Sequence, residues 1–211
     1  MAIQKMSIHR ALAELKTLDD RIGRAIKADF IIANKKSNDK IKGKTIPEVM
    51  QQIKGNFDSF YALTENQRRI KTAVVLSNAN TIVTIAGKQY TVAEAIERKA
   101  KIHHDETFLK TLKLQFLKET TIVKDENEKL VDKLEKYLQS ILGDKEKRTA
   151  DDIAAHTKAF EDRNKYELID PQDVAKHIET LDKNILDFKT AVDYVLSESN
   201  ATTFVEVDFV D

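Results

Sequence analysis

A chain of 211 residues with 35 basic and 35 acidic side chains carries no net charge, so no whole-protein field draws it to long nucleic acid and any anion site must be a local basic cluster. The absence of cysteine excludes disulfides, a thiol nucleophile and a zinc-finger ligand set, and it fits a reducing compartment. One residue in three is charged and no apolar run approaches the roughly 20 residues of a membrane span, which predicts a soluble, unsecreted protein with densely solvated helix faces.

Ser7 is placed to cap a first helix, because Ile8, Ala11, Leu12, Leu15, Leu18, Ile22, Ala25 and Ile26 recur at spacings of three and four. Phe30, Ile31 and Ile32 are read as its extension. The segment NKKSNDKIKGK, Asn34 to Lys44, has the composition of an exposed loop. Pro47 is tolerated in the first turn of a second helix, whose buried stripe is Val49, Ile53, Phe57, Phe60, Leu63, Ile70, Val74 and Val75. The two helices are expected to form an antiparallel hairpin.

From Asn78 to Tyr90 the character changes. The segment TIVTI is rich in β-branched residues, Ala86-Gly87-Lys88 supplies a turn, and Gln89 and Tyr90 return as a second strand. Thr91 and Glu94 then form a T-x-x-E capping box that opens a third helix with Val92, Ala95, Ile96, Ala100 and Ile102 inside. That helix is expected to loosen at Thr120 to Val123, resume from Asp125 to Leu142, and stop at Gly143. Thr149 caps a shorter helix, and Pro171 opens a last one that buries Val174, Ile178, Leu181, Ile185, Phe188, Val192 and Val195.

The terminal segment TTFVEVDFVD alternates Val205, Val207 and Phe209 with Glu206 and Asp208, which predicts a half-buried strand at 203–210. An isolated two-stranded ribbon is marginal in water, so its expected partner is the hairpin at 80–90, or the copy of that hairpin in another subunit. The fold class is therefore mainly α, with long helical hairpins or a bundle and a small antiparallel β-element. The chain is read as one α-rich domain: residues 1–102 give the helical hairpin, the β-hairpin and the start of the third helix, and residues 103–211 add helices and the final strand.

A helix opening with HRALAELKTLDDRI, a second helix ending at Asn78-Ala79-Asn80-Thr81, a hairpin, and then YTVAEAIERK is an order that resembles the septicolysin-like helical-hairpin proteins of bacteria and some phages. The resemblance covers the first half, to about Ile102, and the following hundred or so residues depart from it. It implies an α-rich fold with a small β-element and self-association, and it carries no catalytic residue. The Lys- and Asp-rich, proline-poor composition resembles that of phages of low-GC bacteria.

Gln67, Arg68, Arg69 and Lys71 precede the hairpin, Asn78, Asn80 and Thr81 border it, and Lys88, Tyr90 and Arg98 follow it. If the second and third helices lie side by side, these groups converge on one pole. Arginine can grip phosphate through paired hydrogen bonds, a helix N-terminus offers N–H groups to an anion, and tyrosine can stack on a base. Solvated helix charges and turn-forming asparagines account for the same residues.

No metal is expected, because the adjacent His103 and His104 point about 100° apart on a helix, and Asp173 with His177 supplies only two ligands. No G-x-S-x-G, Walker A, G-x-G-x-x-G or H-E-x-x-H motif occurs, and no carboxylate lies in an apolar context, so neither an enzyme nor a cofactor is expected. The expectation is a non-enzymatic, self-associating phage-type binding protein. In its most concrete form it is an anti-defence sponge that sequesters a small nucleotide-like anion, such as a host immune signal, in the host cytoplasm. The rival is a virion structural or assembly component whose charged helices and terminal strand contact neighbours. A membrane-active toxin would instead use the apolar stripe of the first helix, which core packing also explains.

Overall fold

The computed structural model describes residues 2–143, 145 and 148–210. A strand, β1 (Ala2–Ser7), precedes the first helix. Ser7 then caps α1 (Ile8–Ala25), its hydroxyl accepting the Arg10 N–H at 3.2 Å. The helix ends earlier than the apolar run suggests. After Ala25 the chain turns so that Phe30 meets the ring of Phe57 edge-on at 4.9 Å, and the Asn56 amide donates to the Asp29 carbonyl at 2.8 Å. Tertiary contact thus removes Phe30, Ile31 and Ile32 from the helix.

The polar segment expected as a plain loop contains a minimal hairpin, β2 (Lys40–Ile41) and β3 (Lys44–Thr45). Lys42 and Gly43 both have positive φ, at 47° and 82°, the pattern of a two-residue type I′ turn. Thr45 is the N-cap of α2 (Ile46–Asn80), with Pro47 in the first turn and the Thr45 N–H donating to the Glu48 carboxylate at 2.7 Å. That hydrogen bond, followed by the one from the Thr45 hydroxyl, holds the Glu48 carboxyl below its ordinary pKa.

β4 (Ile82–Ile85) and β5 (Lys88–Thr91) pair antiparallel, Ile82 opposite Thr91 and Ile85 opposite Lys88. The turn is Ala86-Gly87 alone, with φ of 50° and 75°, and Lys88 already belongs to the returning strand. Thr91 and Glu94 form the expected capping box: the Thr91 N–H donates to the Glu94 carboxylate at 2.7 Å, and the Glu94 N–H donates to the Thr91 hydroxyl at 3.1 Å. Here α3 (Val92–Leu142) begins. It does not loosen at Thr120 to Val123. The Thr120 and Thr121 hydroxyls donate to the carbonyls of Phe116 and Leu117 at 2.7 Å each, so these residues satisfy themselves inside the helix. Gly143, at φ 71°, follows the last turn.

Thr149 caps α4 (Ala150–Asn164) by accepting the Asp152 N–H at 3.2 Å. Pro171 does not open the final helix. α5 (Val174–Thr202) begins three residues later, where the Asp170 carboxylate accepts the Val174 N–H at 2.9 Å and Asp173 adopts a positive φ of 54°. An Asx-type cap outcompetes the proline as the start signal.

The last strand is β6 (Phe204–Phe209), and its partner is β1, not the β4–β5 hairpin. The register runs from Ala2 opposite Phe209 to Ser7 opposite Phe204. Asn66 on α2 extends the ribbon by one residue: its side-chain oxygen accepts the Val210 N–H at 2.7 Å, and its side-chain amide donates to the Val210 carbonyl at 2.9 Å.

The chain divides into two compact units, the first comprising Met1–Ala100 with Asp187–Asp211 and the second Lys101–Leu186. The end of α5 and β6 belong to the first unit. That unit has the clearer core: Met6, Ile8, Ala11 and Leu18 pack with Leu63, Ile70, Val74, Val205 and Val207. α1 and α2 thus form the expected helical pair, with the terminal ribbon as its lid. In the second unit Leu109, Leu138 and Ile185 are buried, Lys113 Nζ pairs with Asp182 at 2.6 Å, and Asn127 exchanges two 2.9 Å hydrogen bonds with the Tyr166 backbone.

Candidate functional site

All nine anion-site candidates lie in the first unit, yet they fall into two groups. Arg68 and Arg69 face Glu65: Arg68 donates to both carboxylate oxygens, at 2.8 and 2.6 Å, and Arg69 Nε donates at 2.9 Å. These hydrogen bonds, Arg68 first and Arg69 second, pull the Glu65 pKa down to about 2. Arg69 also donates to the Asp208 backbone carbonyl at 2.7 Å and to its carboxylate at 3.2 Å. The Arg68 guanidinium therefore serves α2 alone, and that of Arg69 ties α2 to the outer edge of β6. Lys71 is exposed on the same helix.

The other group surrounds the hairpin. Twelve residues separate Arg69 from Thr81, which at about 1.5 Å per residue is roughly 18 Å along α2, too far for one phosphate. Asn80 donates to the Leu76 carbonyl at 2.8 Å, which fixes it as a helix-end residue, and Asn78 is half-buried nearby. Thr81 is the C-cap, and its carbonyl accepts the Val92 N–H at 2.9 Å, joining the end of α2 to the start of α3. Lys88 is exposed on β5.

Tyr90 and Arg98 do meet, with Phe188 as a third member that sequence reasoning missed. The Arg98 guanidinium lies 4.8 Å from the Phe188 ring centroid and 5.9 Å from that of Tyr90, while the two rings meet edge-on at 5.9 Å. Beside this cluster Lys99 pairs with Asp193 on α5. Phe188 was legible only as a core position of its helix, since its partner lies ninety residues away in sequence.

A different surface stands out at the other end of α2. Met50, Phe57 and Tyr61 share one helix face and are 66%, 41% and 63% exposed. Phe57 and Tyr61 stack at 6.4 Å and 18°, and Phe30 and Phe60 pack edge-on against them. The sequence reading placed Phe57 and Phe60 in a buried stripe. Phe57 lies outside that core cluster: α1 ends at Ala25, and the ring is met by Phe30 on one side and stays 41% exposed.

Several depressions mark the surface. In the first unit one of about 390 Å³ is bordered by Glu14, Arg21, Asp58, Asn66 and Phe209. In the second unit a groove of about 390 Å³ between α3 and α5 has Phe108, Leu112 and Leu181 along it, with His177 and Asn184 on its rim. None of the nine candidates lines either. Among the described residues no group of three or more His, Cys, Asp or Glu is placed to hold a metal ion, and the rings of His103 and His104 lie 4.0 Å apart. No helix among them is long and apolar enough to cross a membrane.

No family model matches the chain, no curated protein matches it, and neither does any solved structure.

Proposed function

We propose that this chain is a non-enzymatic, self-associating protein that acts by contact with copies of itself and with partner surfaces, in the manner of a phage-type structural or assembly component. The observation that carries the reading is the exposed aromatic face of α2, with Phe57 and Tyr61 stacked in solvent beside Met50. Large apolar side chains gathered on one face mark interaction surfaces on soluble proteins. The cationic groups supply complementary support: Arg68 and Arg69 are engaged by Glu65 and Asp208, which leaves apolar contact as the main currency of recognition. Light scattering during size-exclusion chromatography tests this. The wild type should elute as an oligomer and Tyr61→Glu should lower its mass, whereas a monomeric wild type at every concentration would remove the proposal.

A second reading has its own observation. Arg98 over Tyr90 and Phe188, with Lys88 exposed on β5, supports capture of a small nucleotide-like anion at the hairpin end, as a sponge in the host cytoplasm would require. Arg68 and Arg69, paired with Glu65 and in the case of Arg69 with Asp208, are not phosphate ligands in this reading. Incubation with cyclic dinucleotides and ADP-ribose derivatives should raise the melting temperature, and no shift with any of them would eliminate it. Proteomics of purified virions separates the two readings, since an assembly component is present there in stoichiometric amounts.

A further inference from the structure

The terminal ribbon has two edges, and they differ. The Ile8 N–H donates to the Thr203 carbonyl at 2.9 Å, which makes that pair a hydrogen-bonded one. In an antiparallel ladder such pairs alternate, so Met6–Val205, Gln4–Val207 and Ala2–Phe209 are hydrogen-bonded, while the backbone groups of Ile3 and Lys5 on one strand and Glu206 and Asp208 on the other point away from the ribbon. On β6 the outward groups are met by α2: Arg69 takes the Asp208 carbonyl and Asn66 takes both groups of Val210. On β1 no strand lies beyond Ile3 and Lys5 among the described residues.

Among the described residues no side chain closes that edge. Ile3 is 72% exposed. Lysine commonly guards an open edge, but the Lys5 ammonium sits 5.6 Å from the Phe204 ring centroid, which draws it over β6 and away from the open side. Met6, Val205 and Val207 face the core, so the ribbon is anchored beneath and its edge is held extended.

We infer that β1 pairs antiparallel with β1 of a second copy about a two-fold axis at Gln4, producing a four-stranded sheet in the order β6-β1-β1-β6. Side-chain pairing favours this register over one centred on Lys5. With the axis at Gln4, Ile3 of each copy lies opposite Lys5 of the other, and all four outward N–H and C=O groups of each strand segment are used. Moving the axis to Lys5 would set the two Lys5 side chains opposite each other, a like-charge pair that the Gln4 axis avoids. A two-stranded ribbon gains from becoming four-stranded, and an isologous contact closes without forming fibres. The contact is separate from the aromatic face of α2 and rests on backbone rather than apolar area.

Proline tests the edge selectively, because the N–H groups it deletes at positions 3 and 5 point outward and take no part in the β1–β6 ladder. The Ile3→Pro/Lys5→Pro variant should halve the particle mass by light scattering while its melting temperature stays within a few degrees of wild type. In parallel, Gln4→Cys in this cysteine-free chain should yield a disulfide-linked dimer under mild oxidation, since the two residues would face each other across the axis. An oligomer that keeps its mass in the proline variant overturns the edge pairing and leaves self-association through α2 standing. A wild type that is monomeric throughout overturns both. Should the proline variant fail to fold, the Gln4→Cys result decides, and the absence of a linked dimer overturns the inference.

Discussion

Ile70 offers the sharpest test of how the first unit is held together. It is 0% exposed on α2 and belongs to the cluster that joins α1, α2 and β6. Ile70→Ala deletes three carbons, which at about 0.8 kcal/mol each is a transfer loss of roughly 2.4 kcal/mol. A residual cavity on the order of 50 Å³, at about 24 cal/mol per Å³, adds ~1 kcal/mol. The total is about 3.5 kcal/mol, a large share of the 5–15 kcal/mol typical of a domain. Urea unfolding followed by far-UV circular dichroism reads this as a lower midpoint with an unchanged slope. Val75→Ala, at a position 57% exposed on the same helix, serves as the control and should change stability by less than about 0.5 kcal/mol. A loss below about 1 kcal/mol for Ile70→Ala would refute the packing argument, because it would mean that the α1–α2 face is not the core.

Three further outcomes follow from local chemistry. Thr91→Ala removes the hydroxyl that accepts the Glu94 N–H and should cost about 1 kcal/mol, measured by thermal unfolding against the conservative Thr91→Ser. Ala86→Asn should raise the melting temperature, since Ala86 sits at a positive φ of 50° in a two-residue turn that favours Asn-Gly, and a fall would contradict the turn assignment. The Glu65 carboxyl, lowered from 4.5 to about 2 by Arg68 and Arg69, contributes stability that is fully present above pH 4.5 and is lost as the pH falls through its folded value. A pH titration of unfolding should therefore show a shallower decline between pH 4.5 and 2 in Glu65→Gln than in wild type.

The sequence made short-range features legible and left long-range ones closed. Ser7, Pro47, Thr91 with Glu94, Gly143 and Thr149 each act within four residues, and each stands where its capping chemistry places it. The period-two pattern of 204–209 announced a strand but could not name its partner, because β1 is only six residues long and runs directly into a helix signal at Ser7. The early end of α1 is a tertiary effect, set by Phe30 finding Phe57 and Phe60. Arg69 looked available because the sequence does not show that Asp208, more than a hundred positions away, lies beside it, whereas the partner of Arg68, Glu65, is only three residues off on the same helix. Phe188 joined Tyr90 and Arg98 for the same reason, through a contact that no local window contains.

The charge arrangement bears on how such a protein can recognise anything. With 35 charges of each sign, no steering field extends beyond the Debye length of about 8 Å at physiological ionic strength. Within that distance the strongest cationic pair on α2 is matched by Glu65 and by the C-terminal strand, so releasing Arg69 for an external anion would also unpin β6. Binding at that point would compete with folding. Surfaces whose use does not compete are the exposed rings of Phe57 and Tyr61 and the outward backbone of β1, and both reward contact only after close approach. Recognition built on such groups is short-range and depends on shape and register, and its association rate lies in the unsteered range of about 10⁵–10⁶ M⁻¹s⁻¹. Under the proposed self-association, high local concentration of identical copies would compensate for slow encounter.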